Sequence, residues 1–231
     1  MGKIQEIDNE IKREIVKVIN SDDSSLDFRE RMQASVRLMT YYKCAMMEVE
    51  TKCRVLSEQY SLRHDRNPIS SIKTRLKSFE SIMEKMSRKE FPKTLDSLEE
   101  NLNDVAGVRV ICSFISDVYT IADALIGQDD VKLIQYKDYI KKPKKNGYRS
   151  LHLIVEVPIF LENEKKLMKV EIQLRTIAMD CWATLEHQIN YKKDYGNTED
   201  MIEELKACSA LSNELDRRMD ELGKQTFAGK E

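Results

Sequence analysis

Two acids and two groups of cations carry the chemistry that this sequence offers. Asp104 precedes VAGVRVICSF (105–114), and Glu171 lies inside KLMKVEIQLRT (166–176). Alternation in that second run puts Val170, Ile172 and Leu174 on one face of a strand and Glu171, Gln173 and Arg175 on the other. Such a polar face is either solvated or laid across a site. Two carboxylates on neighbouring strands suit Mg²⁺, which takes oxygen ligands and shares its shell with substrate phosphates. The first cationic group is Arg75, Lys77, Ser81 and Lys85 in RLKSFESIMEKMSRK. Read as a helix starting near Ser70 or Ser71, this segment puts Lys77, Ser81 and Lys85 on one face, with Arg75 roughly 200° round from Lys77. The second group is Lys141, Lys142, Lys144, Lys145 and Arg149 around Asn146-Gly147-Tyr148. Gly147 lets this loop bend sharply. Tyr148 offers a face on which a base stacks, and His152 follows four residues later. Each basic group alone reads equally as solvated surface. Together with the two acids they call for two polyphosphate ligands and a metal, and for catalysis by positioning and charge stabilisation.

These residues need elements to hold them. The first 60 residues read as helix, with Ile4, Ile7, Ile11, Ile15, Val18 and Ile19 at mostly three- and four-residue steps, broken at SDDSSLDF (21–28), where Ser25 or Asp27 is the candidate cap. Strand character begins at VAGVRVICSF and returns in VKLIQYKDYI (131–140), SLHLIVEVPIF (150–160) and KLMKVEIQLRT. Pro158 belongs at a strand end or edge, and LENEKK (161–166) closes a hairpin. Helices are expected at 116–128 and 177–191. The tail places Ile202, Leu205, Cys208, Leu211, Leu215, Met219 and Leu222 on one helical stripe, which packs on the body of the protein or against another subunit. The layout predicts a mixed α/β or α+β fold: helices, a mixed sheet of at least four strands, then a terminal helix.

Bulk composition narrows the function classes. The chain has 231 residues, 41% hydrophobic and 34% charged, which is a globular profile. A net charge of −2 gives no overall basicity, so anion binding is local and no duplex nucleic acid is expected. The five cysteines contain no CxxC and read as reduced thiols of a cytoplasmic protein. No secretory leader and no membrane span is expected. No P-loop or dinucleotide-binding glycine motif occurs. His64-Asp65 is a minimal match to metal-dependent phosphohydrolases, and Cys181 with His187 reads as core beside Trp182 rather than as a nucleophile and base.

Five stretches together resemble the synthetase domain of the RelA/SpoT family in its short form, the small alarmone synthetases, and look most like the RelP type. They are RNPISSIKTRLKSFESIMEKM (66–86), LNDVAGVRVICSF (102–114), YKDYIKKPKKNGYRSLHLIVEV (136–157), VEIQLRT (170–176) and MDCWATLEHQINYK (179–192). The resemblance implies an α+β fold with a nucleotidyltransferase-like mixed sheet flanked by helices and helical extensions at both ends. It divides the chain into a helical region (1–60), a synthetase core (61–195) and a C-terminal helix (196–231). It implies transfer of the β,γ-pyrophosphate of ATP to the 3′-hydroxyl of GTP or GDP, with Mg²⁺ and with no hydrolase activity, in a cytoplasmic homotetramer.

The implied roles fall on residues already singled out. Asp104 and Glu171 hold Mg²⁺, and Glu171 is also the candidate general base. Arg75, Lys77, Ser81, Lys85, Arg109 and Lys137 serve ATP. Lys144, Lys145, Asn146, Tyr148, His152 and Gln173 serve GTP or GDP. One departure is Gln135, where long members of the family carry an adenine-stacking Arg, and Lys137 or Arg109 is then the substitute. Two other readings compete: a nucleotidyltransferase that releases free pyrophosphate, and a non-catalytic nucleotide or RNA binder.

Overall fold

A computed structural model describes residues 26–63, 66–191 and 199–227. The isoleucine-rich first 25 residues and His64-Asp65 lie outside them. Helix α1 (Leu26–Arg63) has no Gly or Pro to interrupt it. Leu38, Tyr42, Ala45, Val49, Cys53 and Leu56 recur along it at steps of three and four, and all are buried. Asp27 lies inside this helix rather than capping it.

The helix expected from Ser70 does not form there. Ile69–Leu76 is strand β1, and helix α2 (Phe79–Arg88) starts after it. Ser78 is the cap: its backbone is extended, and its hydroxyl accepts a hydrogen bond from the Ser81 backbone N–H at 3.2 Å. The run after Pro68 is rich in Ile, Thr and Ser, which favour strands or compete with helical hydrogen bonds. A neighbouring strand also supplies backbone partners, and Lys77 N–H continues that pairing to Val105 O at 2.8 Å. Arg75 and Lys77 therefore stand on extended chain, and only Ser81 and Lys85 share a helical face.

A short helix that the sequence reading did not anticipate follows, α3 (Leu95–Asn101), and then the expected elements: β2 (Ala106–Cys112), α4 (Ile115–Ile126), β3 (Lys132–Asp138), β4 (Leu151–Phe160), β5 (Lys165–Thr176), α5 (Ile177–Tyr191) and α6 (Glu199–Phe227). The five strands form one sheet in the order β1-β2-β5-β4-β3. A hairpin joins β4 to β5 through Leu161 N–H to Glu164 O at 2.8 Å. Pro158 is the third residue from the end of β4. Contacts divide the chain into two compact units, one of Met1–Val49, Thr74–Gly107 and Glu156–Glu171, the other of Glu50–Lys73, Val108–Val155 and Ile172–Glu231.

In the first unit, Phe79, Ile82 and Met86 of α2 are buried, as are Leu98, Leu102 and Val105. Lys169 donates to the carbonyls of Glu99 (3.0 Å) and Glu100 (3.1 Å), satisfying the end of α3.

In the second unit, Val108, Val110, Leu151, Leu153, Val155, Ile172 and Leu174 are fully or almost fully buried. The apolar stripe of α6 is divided: Ile202 and Leu205 are half-buried, Leu215 and Met219 line a groove with Ile177, Trp182 and Leu185 of α5, and Leu211, Leu215, Met219 and Leu222 stay between 45% and 72% exposed. The inner face is polar and small. Ser209 donates to Gly147 O at 2.6 Å, and Asp220 accepts from both the N–H (2.9 Å) and hydroxyl (2.7 Å) of Ser116. Gly223 lies against the Phe114 ring. Asp216 faces Arg149 at 3.3 Å, each about 5% exposed. Burial pushes the Asp216 carboxyl up and the Arg149 guanidinium down, so this pair bears a desolvation cost. Arg149 is thus a structural anchor and no part of an open cationic loop. All five cysteines are free thiols. Burial pushes the Cys53 thiol up to about 12. Cys181 and His187, expected in the core, are exposed on α5. No helix among the described residues is long and apolar enough to cross a membrane.

Candidate functional site

The chemistry-bearing residues gather in two groups, one in each unit. In the first unit, Asp104 stands two residues before β2 and receives both lysines of the first cationic group. Lys77 Nζ lies 2.6 Å and Lys85 Nζ 2.7 Å from the same oxygen, Oδ2. The other oxygen, Oδ1, is buried and accepts no hydrogen bond among the described residues. Burial alone would raise this carboxyl, but the hydrogen bonds and charges of Lys77 and Lys85 hold it below the usual carboxylate range. Ser81 lies between the lysines in sequence, and its hydroxyl accepts from Ser78 Oγ at 2.9 Å. Arg75 is exposed.

Glu171 is half-buried between the fully buried Val170 and Ile172, as the alternation requires. Its strand, β5, is paired with β2. A hard divalent cation wants an ionised carboxylate with an oxygen that has no other partner, and Asp104 Oδ1, though buried, is such an atom. No group of three or more His, Cys, Asp or Glu that fits a metal occurs among the described residues.

In the second unit, the loop before β4 presents Tyr148. Asn146 Oδ1 accepts from the Tyr148 N–H at 3.2 Å, and Gly147 N–H closes a turn to Lys144 O at 2.8 Å. Gly147 has φ +91°, and a Cβ there would lie 2.8 Å from Ser209 Cβ, so conformation and space both demand glycine. Lys144 Nζ lies 4.7 Å from the centroids of both the Tyr139 and Tyr148 rings. The Tyr148 hydroxyl is 2.8 Å from His152 Nε2 and accepts from Arg175 Nη2 at 2.6 Å. The same Arg175 nitrogen donates to Gln173 Oε1 at 3.1 Å. Lys145 and Lys137 are exposed. Arg109 and Lys137, grouped with the ATP residues on sequence grounds, both belong to this unit. Arg109 donates to Asp180 at 3.2 Å.

Sequence reasoning passed over Asp180 and Arg175. Asp180 also takes Lys73 at 3.0 Å and Arg175 at 3.1 Å. Burial would raise its carboxyl, but Lys73, Arg109 and Arg175 hold it below the usual range. A lone acid on a helix between the buried Met179 and Trp182 was the available signal. Arg175 stood on the polar face with Glu171 and Gln173, but nothing in the sequence said what it touched.

Comparison with known proteins completes the description. Residues 74–196 match the model of a region found in RelA / SpoT proteins. The chain is 44% identical over 193 residues to GTP pyrophosphokinase YwaC of Bacillus subtilis (84% of this chain, 92% of that protein). Small alarmone synthetase 1 of Bacillus subtilis, solved bound to its product pppGpp, is 34% identical, with TM-score 0.75 over 82% of this chain and 96% of that one. The same enzyme solved with AMPCPP gives 31% identity and TM-score 0.69, covering 82% and 95% of the two chains.

Proposed function

Because this chain belongs to the RelA/SpoT family, we propose that it is a GTP pyrophosphokinase of the small alarmone synthetase kind. It transfers the β,γ-pyrophosphate of ATP to the ribose 3′-hydroxyl of GTP or GDP and releases AMP. In that step the bond from O3′ to the β-phosphorus forms and the bond between the α,β-bridging oxygen and the β-phosphorus breaks. The 3′-hydroxyl proton passes to Glu171, and the leaving oxygen stays on AMP. The observation that carries the reading is Asp104, one oxygen held by Lys77 and Lys85 and the other buried without a hydrogen-bond partner, beside a strand that bears Glu171.

In this reading Lys77, Lys85 and Ser81 hold the ATP phosphates, Arg75 stacks on adenine, and Arg109 and Lys137 support the same nucleotide. Tyr148 stacks on guanine, and Lys144, Lys145, Asn146, His152 and Gln173 hold the rest of the acceptor. Asp104 and Glu171 hold Mg²⁺, which when bound offsets the charge of the transferred phosphates. A synthetase without hydrolase activity, of the RelP type, acting in the cytoplasm, completes the proposal. So does the division into helical region, core and C-terminal helix. The outward stripe of α6 supports a homo-oligomer, taken as a tetramer.

The test is chromatography of purified protein with Mg²⁺, γ-³²P-ATP and GTP or GDP, with AMP measured in parallel. Label entering a guanosine penta- or tetraphosphate with equimolar AMP is expected, and EDTA should abolish it. Release of free pyrophosphate would replace this reaction with nucleotidyl transfer. Unchanged ATP would reduce the protein to a binder.

A further inference from the structure

We infer that Arg175, clamped by Asp180, is the positioning residue that sets the plane of the Tyr148 ring for the guanine base. The inference rests on the acceptor role proposed for Tyr148. Tyr148 sits on a loop, and loop backbone alone leaves an aromatic ring free to rotate about its side-chain bonds. Its hydroxyl is the far end of the lever, and that end is fixed. Arg175 Nη2 donates to it at 2.6 Å, and His152 Nε2 lies 2.8 Å away. A guanidinium only donates, so the hydroxyl oxygen accepts from Arg175, while His152 Nε2 holds the same hydroxyl from a second direction.

Arg175 is itself held on both sides. It is 4% exposed, its Nη1 donates to Asp180 at 3.1 Å, and its Nη2 donates to Gln173 at 3.1 Å. Its guanidinium carbon lies 5.1 Å from the Tyr148 ring centroid, so the same group that grips the hydroxyl also packs on the ring. Three directional bonds from one planar group are a task for Arg and not for Lys. Asp180 belongs to α5 and is also held by Lys73 and Arg109, so the chain ends on a carboxylate fixed from three directions. Arg175 is assigned no contact with the reacting atoms. Its effect runs through Tyr148 to the affinity for the acceptor.

The test is a double-mutant cycle read by calorimetric titration with GDP and with ATP, using wild type, Y148F, R175K and Y148F/R175K. Phenylalanine keeps the stacking face and removes the atom that Arg175 grips. R175K should weaken GDP about tenfold in the wild-type background but less than about twofold in the Y148F background, with ATP changed less than about threefold. An equal GDP loss in both backgrounds, or none in either, overturns the positioning role. If R175K does not fold, D180N takes its place in the same cycle, with the same dependence on the Tyr148 hydroxyl expected. GDP binding is read without turnover, so the two readings fail separately. Wild type that binds GDP but makes no alarmone overturns the proposed reaction, whereas an additive cycle in an active enzyme overturns only Arg175. Wild type that binds no GDP overturns both.

Discussion

Around Asp104, two ammonium groups converge on a single carboxylate oxygen, whereas around Tyr148 a phenol, an imidazole, a guanidinium and a carboxylate are linked end to end. The first arrangement is made of point charges on flexible stems. It fixes how much charge is present and leaves its direction loose. The second is made of planar groups with directional bonds, and it fixes orientation. A triphosphate, which presents many equivalent oxygens, is well served by the first. A purine base, which must lie in one plane, needs the second.

The largest expected effect breaks neither arrangement. Glu171→Gln keeps shape and removes the proposed base, so turnover should fall on the order of 10³-fold. ATP and GDP affinities by titration should stay within about threefold. Turnover close to wild type would show that the proton goes elsewhere. Next comes Tyr148→Ala, which should weaken GDP by about 10- to 100-fold, the value of one base–aromatic stack, and leave ATP nearly untouched. Equal losses for both nucleotides would erase the distinction between the groups. Lys77→Ala and Lys85→Ala should each weaken ATP by about fivefold, with the losses shrinking as salt is raised. A loss that ignores salt would mean that these lysines act by shape.

The smallest effect concerns pH. The Asp104 carboxyl is held below its ordinary value, so its pairing contributes stability above the ordinary carboxylate range and loses it as pH falls through the lowered value. Removing both lysines should therefore shift acid unfolding slightly toward higher pH. A shift the other way would reverse the sign assigned to this cluster.

The two arrangements were unequally legible in the sequence. Asp104, Glu171 and the lysines announce themselves by charge beside β-branched runs, and the alternation of β5 appears as read. The convergence of Lys77 and Lys85 on Asp104 was invisible, because it depends on β1 being a strand. Periodicity alone could not separate an edge strand from a helix in a stretch of mixed Ser, Ile and Lys. Tyr148 and His152 were legible by spacing. Arg175 and Asp180 were not, since their meaning lies in one side chain reaching across from strand to helix. The α6 stripe was legible as a stripe but not in its direction. The residues that dock the helix, Ser209, Asp216, Asp220 and Gly223, carry none of the apolar signal by which a buried face is recognised.

That docking ties the tail to the loop that carries Tyr148. Ser209 holds the carbonyl of Gly147, Asp216 holds Arg149, and Tyr148 sits between these two anchored residues. The helix and the loop are therefore built as a pair. A chimera that takes its tail from one relative and its loop from another would bring mismatched halves of one clasp, and trimming the tail to shorten the protein would release the loop that carries Tyr148.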